Sequence, residues 1–418
     1  MNQADRAKEA RAAAETAARR GYGKLVALLA ARTRDLAAAE DALAEAFASA
    51  LAQWPKTGVP RQPEAWLLTA ARRKAIDAAR RRKSAAEGEP HLQLIAEELE
   101  AAAEHPAEIP DRRLALMFAC AHPAIEAALR APLILQCVLG FDGSTIASAF
   151  LVAPAAMRQR LVRAKAKIRE AGIPFRIPDR ADLPERLAAV LDAIYAAFAE
   201  GWSDPAGADV KRRDLAGEAI WLGRLVVELL GEEAEALGLL SLMLHAEARR
   251  TARRNDAGEF VPLADQDMRR WDLGMVEEAD ALLHRARARN QIARYQLEAA
   301  VQSAHAIRRT SGSSDWPAIV ALYDALLGLT GSPVVAVNRA VALAEAEGAA
   351  AGLAALDAIG EDKRIVEYQP YWAARAALLG RLGDRERADN AYALAIGLEA
   401  DPALRRFLEQ RRAALGGI

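Results

Sequence analysis

Two stretches hold the side chains best suited to binding chemistry. The segment ARRKAIDAARRRK (71–83) carries seven basic residues and one acid, Asp77, in a chain whose formal net charge is −1. Trp66 stands just upstream. Cations that neutralise phosphates, beside a ring that can stack on an unpaired base, are what a single-stranded nucleic-acid site uses. The candidates there are Trp66, Arg72, Arg73, Lys74, Arg80 and Arg81. Taken alone, the segment reads first as a solvated cationic helix face with Trp66 in the core.

The second stretch, from Arg158 to Arg169, holds six basic residues and no acid. It lies in FDGSTIASAFLVAPAAMRQRLVRAKAKIREAG, which reads as a helix-turn-helix: Asp142 caps a short helix 144–150, residues 151–153 turn, and Pro154 starts a longer helix. Met157, Leu161, Ala164 and Ile168 form its apolar stripe, and the other faces are polar. A recognition helix presents donors near its N-terminus to base edges and further cations to phosphates. Arg158 and Gln159 are the base-reading candidates; Arg160, Arg163 and Lys165 are positioning contacts. Alone, such a helix is a solvated or membrane-surface element as readily as a reader of DNA. Two basic helical units joined by an acidic segment shift the balance towards nucleic acid.

Catalytic and metal chemistry find little support. Cys120-Ala-His122 with Cys137 lacks a fourth ligand and sits among apolar residues, so buried core is the reading. Asp265, Asp267, Trp271, Asp272, His245 and Glu200 are better explained as caps and interhelix hydrogen bonds than as a catalytic cluster. No Gly-rich phosphate loop, nucleophile elbow or paired-His helix is present. No catalytic residue, metal ligand or cofactor is assigned, and the chain is not expected to be an enzyme.

The elements that must position these residues follow from composition. Of the 418 residues 52% are hydrophobic, much of that alanine, and 5% are aromatic, so an all-α protein is expected. No run reaches the roughly 18 apolar residues of a membrane span, and the N-terminus has no apolar signal core. A cytoplasmic protein with two reduced cysteines is expected. Residues 84–110 contain seven glutamates and no Lys or Arg, bracketed by Gly88, Pro90, Pro106 and Pro110, and read as a linker. A second break, GIPFRIPDRADLP, carries three prolines. In the C-terminal half Arg339-Ala340 and Ala355-Leu356 recur 36 positions on as Arg375-Ala376 and Ala391-Tyr392. The last unit, YWAARAALLGRLGDRERADNAYALAIGLEADP, resembles a tetratricopeptide repeat, whose helix pairs stack into an array.

With these parts in view, the first 178 residues resemble a sigma factor of the sigma-70 class, extracytoplasmic-function subgroup. AEDALAEAFASALAQWP followed by PEAWLLTAARRKAID resembles the family's second conserved region, and LVAPAAMRQRLVRAKAKIR its fourth. IPDRRLALMFACAHPAI, LPERLAAVLDAIYAAFAEGW, LADQDMRRWD, YQLEAAVQSAHA and DWPAIVALYDALL resemble the branch with a C-terminal tetratricopeptide-like domain. The resemblance implies four parts: a region 2 domain (1–85), an acidic linker (86–110), a region 4 helix-turn-helix (111–178) and a C-terminal helical regulatory domain (184–418).

It also implies roles. Leu43, Phe47, Leu51 and Trp54 are expected in the core. Asp41 and Glu45, off that stripe, would dock the β′ clamp of core RNA polymerase, with the β flap as a further contact. Trp66 and the 72–83 face would hold the melted −10 strand, and the helix from Pro154 would read the −35 element. The linker would lie in the polymerase's RNA-exit region. Several positions depart from the family: Ala44 replaces a Gln of the docking helix and Arg73 an Asn of the melting helix. Asp142 with Thr145 replaces a Thr-x-x-Glu box, and Ala155 and Ala156 stand where Gly or Thr is common. These departures bear on promoter preference. The implied partners are core polymerase, promoter DNA and an unidentified protein partner of the C-terminal domain, with no membrane. The competing readings are a helical-repeat adaptor with inert basic helices, and a duplex-DNA repressor or activator working without polymerase.

Overall fold

Alanine and leucine carry the chain's helix propensity, and Pro and Gly punctuate it. The computed structural model describes residues 3–83, 112–150, 152–179, 182–202 and 210–416. Among them the regular structure is helical, with one isolated bridge between Arg254 and Phe260, so the protein is all-α. The acidic segment 86–110 lies outside the described residues. The chain forms two compact units, Met1–Ala197 and Phe198–Ile418.

The first unit opens with α1 (Gln3–Thr33), α2 (Leu36–Thr57) and α3 (Pro63–Lys83), which pack on one another. Asp35 caps α2 by accepting the Ala38 N–H at 3.1 Å, and Gly58, at φ +88°, ends it by donating to the Trp54 carbonyl at 2.9 Å. Leu25, Leu29, Leu36, Leu43, Trp54 and Leu67 are wholly buried between these helices. One expectation is corrected: Leu51 is 48% exposed, and Phe47 only half-buried. The buried row of α2 is Leu36, Ala39, Leu43, Ala46, Ala50 and Trp54, one residue around from the expected stripe. Alanines at the contact let neighbouring helices approach closely, so the small side chains face inward and Leu51 turns out.

Four further helices make the second half of this unit: α4 (Arg113–Cys120), α5 (Ala127–Cys137), α6 (Gly143–Ala149) and α7 (Pro154–Glu170). Cys120 and Cys137 are wholly buried there as free thiols. This half packs directly on the first three helices, α4 against α1 and α2 against α7. Gly23 of α1 shows how tight the contact is, because a Cβ built there would lie 1.7 Å from the Val138 carbonyl oxygen at the end of α5. Only glycine lets the two backbones meet at that separation.

The boundary between the units falls inside α8 (Leu183–Trp202). The second unit continues with α9 (Val210–Leu230), α10 (Ala234–Ala248), α11 (Leu273–Arg287) and α12 (Arg294–Ser311). Helix α10 is apolar all round and buried over nearly its whole length, as a central helix must be. The unit ends in α13 (Trp316–Thr330), α14 (Pro333–Ala346), α15 (Ala349–Asp357), α16 (Gln369–Arg381), α17 (Arg385–Leu398) and α18 (Pro402–Ala414). The 36-residue recurrence has a packing counterpart: Ala340 and Ala376 are both 0% exposed, and Leu356 and Tyr392 are both buried. Arg339 pairs with Asp324, and Arg375 with Asp357, each an acid on an earlier helix. Among the described residues no helix is long and apolar enough to cross a membrane.

Candidate nucleic-acid interface

On α3 the expected binding face is only partly assembled. Trp66 is half-buried, and its ring meets the wholly buried Trp54 edge to face at 5.4 Å, so the core fixes the orientation of the exposed part. Arg73 is exposed. Lys74 reaches Glu45 of α2 at 3.4 Å, with both side chains about half exposed. Arg72 departs from the expected face. It is 9% exposed, its Nε finds no hydrogen-bond partner among the described residues, and burial and then the nearby Arg32 pull its pKa down to about 10. The helix turns Arg72 inward beside Ala71, so its cation is directed at the protein rather than at a ligand on the α3 surface. The side chains of Arg80 and Arg81 lie outside those described. Asp41 and Glu45 are both exposed, one helical turn apart on α2.

The helix-turn-helix is built as its sequence implies. Asp142 accepts the Ser144 and Thr145 N–H groups at 2.8 and 3.0 Å, and the Thr145 hydroxyl at 2.7 Å. Together with the Ser144 hydroxyl, these donors hold its carboxyl well below the usual carboxylate range. Pro154 begins α7, and Met157, Leu161, Ala164 and Ile168 are its buried stripe. Arg158, Gln159 and Arg163 are exposed. Arg160 instead lines a cavity of about 360 Å³ with Arg130, Phe150, Glu185 and Asp192, away from the Arg158 face.

Lys165 is also elsewhere than expected. Its Nζ lies 2.6 Å from Glu40 Oε2 of α2, with both side chains about 85% buried. Burial works against the ammonium, but Cys137 and Glu40 beside it keep its pKa above the ordinary lysine value. One turn on, Arg169 reaches Asp35 at 3.6 Å. Two carboxylates of α2 thus occupy cations on the C-terminal half of α7, where phosphates were expected.

Three residues of this arrangement are absent from the sequence reading, and only one of them carries a local signal. Nothing local in the sequence shows that Glu40 and Asp35 meet α7. Val162 was legible: at about 100° per residue it falls between Arg158 and Gln159, off the apolar stripe. It is 68% exposed, an aliphatic group in the middle of a polar face. Apolar contact with a thymine methyl is one way such a side chain reads a base.

The remaining candidates resolve as structure. Asp267 accepts the Arg269 N–H and Asp272 the Met275 N–H, both as caps, while Trp271 is buried. His245 lies 3.3 Å from Asp280, which also accepts the Ser303 hydroxyl at 2.7 Å. One Asp280 oxygen thus ties α10 and α12 to α11 as an interhelix contact.

The aromatic and cationic helix α3 thus lies beside the two exposed acids of α2 in an all-α chain. Residues 18–85 match sigma-70 region 2, which supports a sigma factor role in transcription initiation and implies binding to core RNA polymerase and promoter DNA. Residues 186–287 match a family of unknown function, DUF6596. The chain belongs to the same family as an uncharacterized protein of Rhizobium meliloti (strain 1021), to which it is 40% identical over 382 residues, 90% of each chain. No solved structure matches it.

Proposed function

We propose that the chain is an extracytoplasmic-function sigma factor whose C-terminal domain, 184–418, controls it in cis. Asp41 and Glu45 dock core polymerase. Trp66, Arg73 and Lys74, continued by Arg80 and Arg81, hold the melted −10 strand. Arg158, Gln159, Val162 and Arg163 read the −35 element. The work is done by binding energy, with no covalent chemistry. The observation that carries this reading is the coincidence of the region 2 match with the Trp66 platform on its cationic helix. Region 1–85, linker 86–110 and region 111–178 are the corresponding functional parts.

The packing of α2 on α7 adds a condition. Positions −35 and −10 lie about 25 base pairs apart, roughly 85 Å of straight B-DNA. Helices joined by a 2.6 Å ion pair do not reach both elements at once. Fully extended, the linker spans up to about 85 Å. The described form is therefore a closed one, and engaging the promoter requires Lys165 to leave Glu40.

Run-off transcription with purified core polymerase on genomic fragments is the test. Initiation at a defined promoter class, lost on substitution of Asp41 and Glu45 together, is the expected result. Failure to bind core polymerase would sink the proposal.

A further inference from the structure

In the second unit the end of α8 is ringed by arginines. The guanidinium carbons of Arg249, Arg250 and Arg253 lie 5.1, 5.1 and 4.2 Å from the centre of the Trp202 ring, which itself stacks on Phe198. Arg249 follows α10, and the other two lie in and just after the 3-10 turn Arg250–Ala252. All three are partly buried.

Part of this is explained by the helix end. Arg250 donates to the Gly201 carbonyl at 3.3 Å and Arg253 to the Trp202 carbonyl at 2.7 Å, a favourable place for cations. Arg250 also pairs with Glu247 at 2.7 Å. Glu247 is the one acid, among the described residues, that ion-pairs with these three. Arg249 is left over. Its terminal nitrogen reaches Gln302 Oε1 only at 3.5 Å, the outer limit of a hydrogen bond, and its buried Nε has no acceptor among the described residues. A buried terminal nitrogen of Arg250 has none either.

The uncompensated charge is felt nearby. Burial and then Arg253 bring Arg249 down to about 10; burial and then Arg250 and Arg254 do the same to Arg253. His305, on α12, is pushed down to about 4 by burial and then by Arg249 and Arg308. Buried charges are ordinarily paired or bound to something, because leaving donors dry and unmatched is costly.

We propose that Trp202, Arg249, Arg250 and Arg253 form a binding site for a phosphoryl dianion. Among the described residues, Arg249, Arg250, Arg253 and Arg254 less Glu247 and Asp401 leave two positive charges, which a phosphate dianion balances and an acetate does not. Planar guanidinium forks suit phosphate oxygens, and the orphaned nitrogens of Arg249 and Arg250 are the donors left to meet them. The site would make this unit a sensor of inorganic phosphate or of a phosphate ester. It goes beyond the sigma-factor reading, and its test needs neither polymerase nor promoter.

Isothermal titration of the full chain with inorganic phosphate, glycerol phosphate and acetate, at matched ionic strength in chloride, decides the matter. Saturable binding of one phosphate or ester per chain, with acetate at least about tenfold weaker, is expected. Tighter binding of the ion assigns free phosphate; tighter binding of the ester assigns a phosphorylated metabolite. Arg249→Gln should weaken binding about tenfold while circular dichroism stays that of the parent. Should that variant fail to fold, Arg249→Lys, which keeps the charge and loses the fork, should weaken binding in the same direction. Phosphate indistinguishable from chloride, acetate binding as tightly as phosphate, or a folded Arg249→Gln that binds unchanged would each overturn the site.

Discussion

Lys165 Nζ and Glu40 Oε2 lie 2.6 Å apart, joining the basic helix α7 to α2, 125 residues earlier in the chain. The pair is largely removed from water, so its energetics differ from those of the exposed ion pairs elsewhere. Glu40→Gln leaves the Lys165 ammonium buried without its counter-charge and should cost about 3 kcal/mol in urea unfolding of the full chain. The double change Glu40→Leu with Lys165→Met should cost far less. Equal losses from the single and double variants would show that the two residues are not coupled.

Gly23 tests the same closed form by sterics. In an isolated helix Gly→Ala gains about 1 kcal/mol. Here the new methyl meets the Val138 carbonyl at 1.7 Å, so α1 and α5 must part. Gly23→Ala should enlarge the radius of gyration in small-angle scattering. A variant of unchanged size and raised melting temperature would contradict the closed packing.

On α7 the exposed residues divide by the kind of contact. Arg158→Ala and Gln159→Ala should alter which −35 sequences are bound, each by about 1–3 kcal/mol at the contacted base. Val162→Ala should lower the preference for thymine at one position. Arg163→Ala should weaken binding to all sequences and reduce the salt slope by about one ion. Lys165→Ala removes the ion pair to Glu40 that must break on opening, so it should both loosen the closed form and weaken binding to all sequences. Binding measured across a randomised −35 library at two salt concentrations separates these cases.

Trp66 rests on Trp54, so its role in strand opening is separable from folding by the substitution chosen. Trp66→Phe keeps an aromatic face and should retain most promoter melting. Trp66→Ala should lose about 1–3 kcal/mol of strand-holding energy. Permanganate reactivity of the −10 thymines gives the measurement; equal melting by both variants would remove Trp66 from the site.

His305 gives the second unit a pH dependence of known sign. Its folded-state pKa is lowered to about 4, while the unfolded imidazole takes its proton near 6.5. Its contribution is therefore whole above pH 6.5, falls as pH drops towards 4, and falls no further below that. The loss amounts to about 3 kcal/mol at most. His305→Gln should flatten this part of the stability profile, as followed by urea titrations between pH 7 and 4. A profile identical to the parent's would show that the imidazole is not held neutral.

The helical class and the two basic helices were legible because they depend on local pattern. Met157, Leu161, Ala164 and Ile168 announce their buried stripe by spacing alone, and Asp142 and Pro154 mark where helices begin. The stripe of α2 was misjudged by one residue because side-chain size was weighed above close approach, and alanines won that contact. Arg72 and Lys165 looked like members of open cationic faces. Which arginine on a helix is buried depends on the helix packed against it, and spacing within one element carries no such information.

Sequence by itself determined what the protein is made to meet. Charge segregated into basic and acidic blocks, an aromatic before a cationic helix, and helix-turn-helix punctuation are all short-range features, set by residue type and a period of 3.6. Only the tertiary structure decided which of those charges are available. Glu40 stands 125 residues from Lys165, Gly23 lies far in sequence from Val138, and Trp202 stands some 50 positions before the arginines around it. Such contacts form because buried apolar faces bring distant helices together, and the charges carried along are then paired, orphaned or left facing solvent by geometry that no local pattern records.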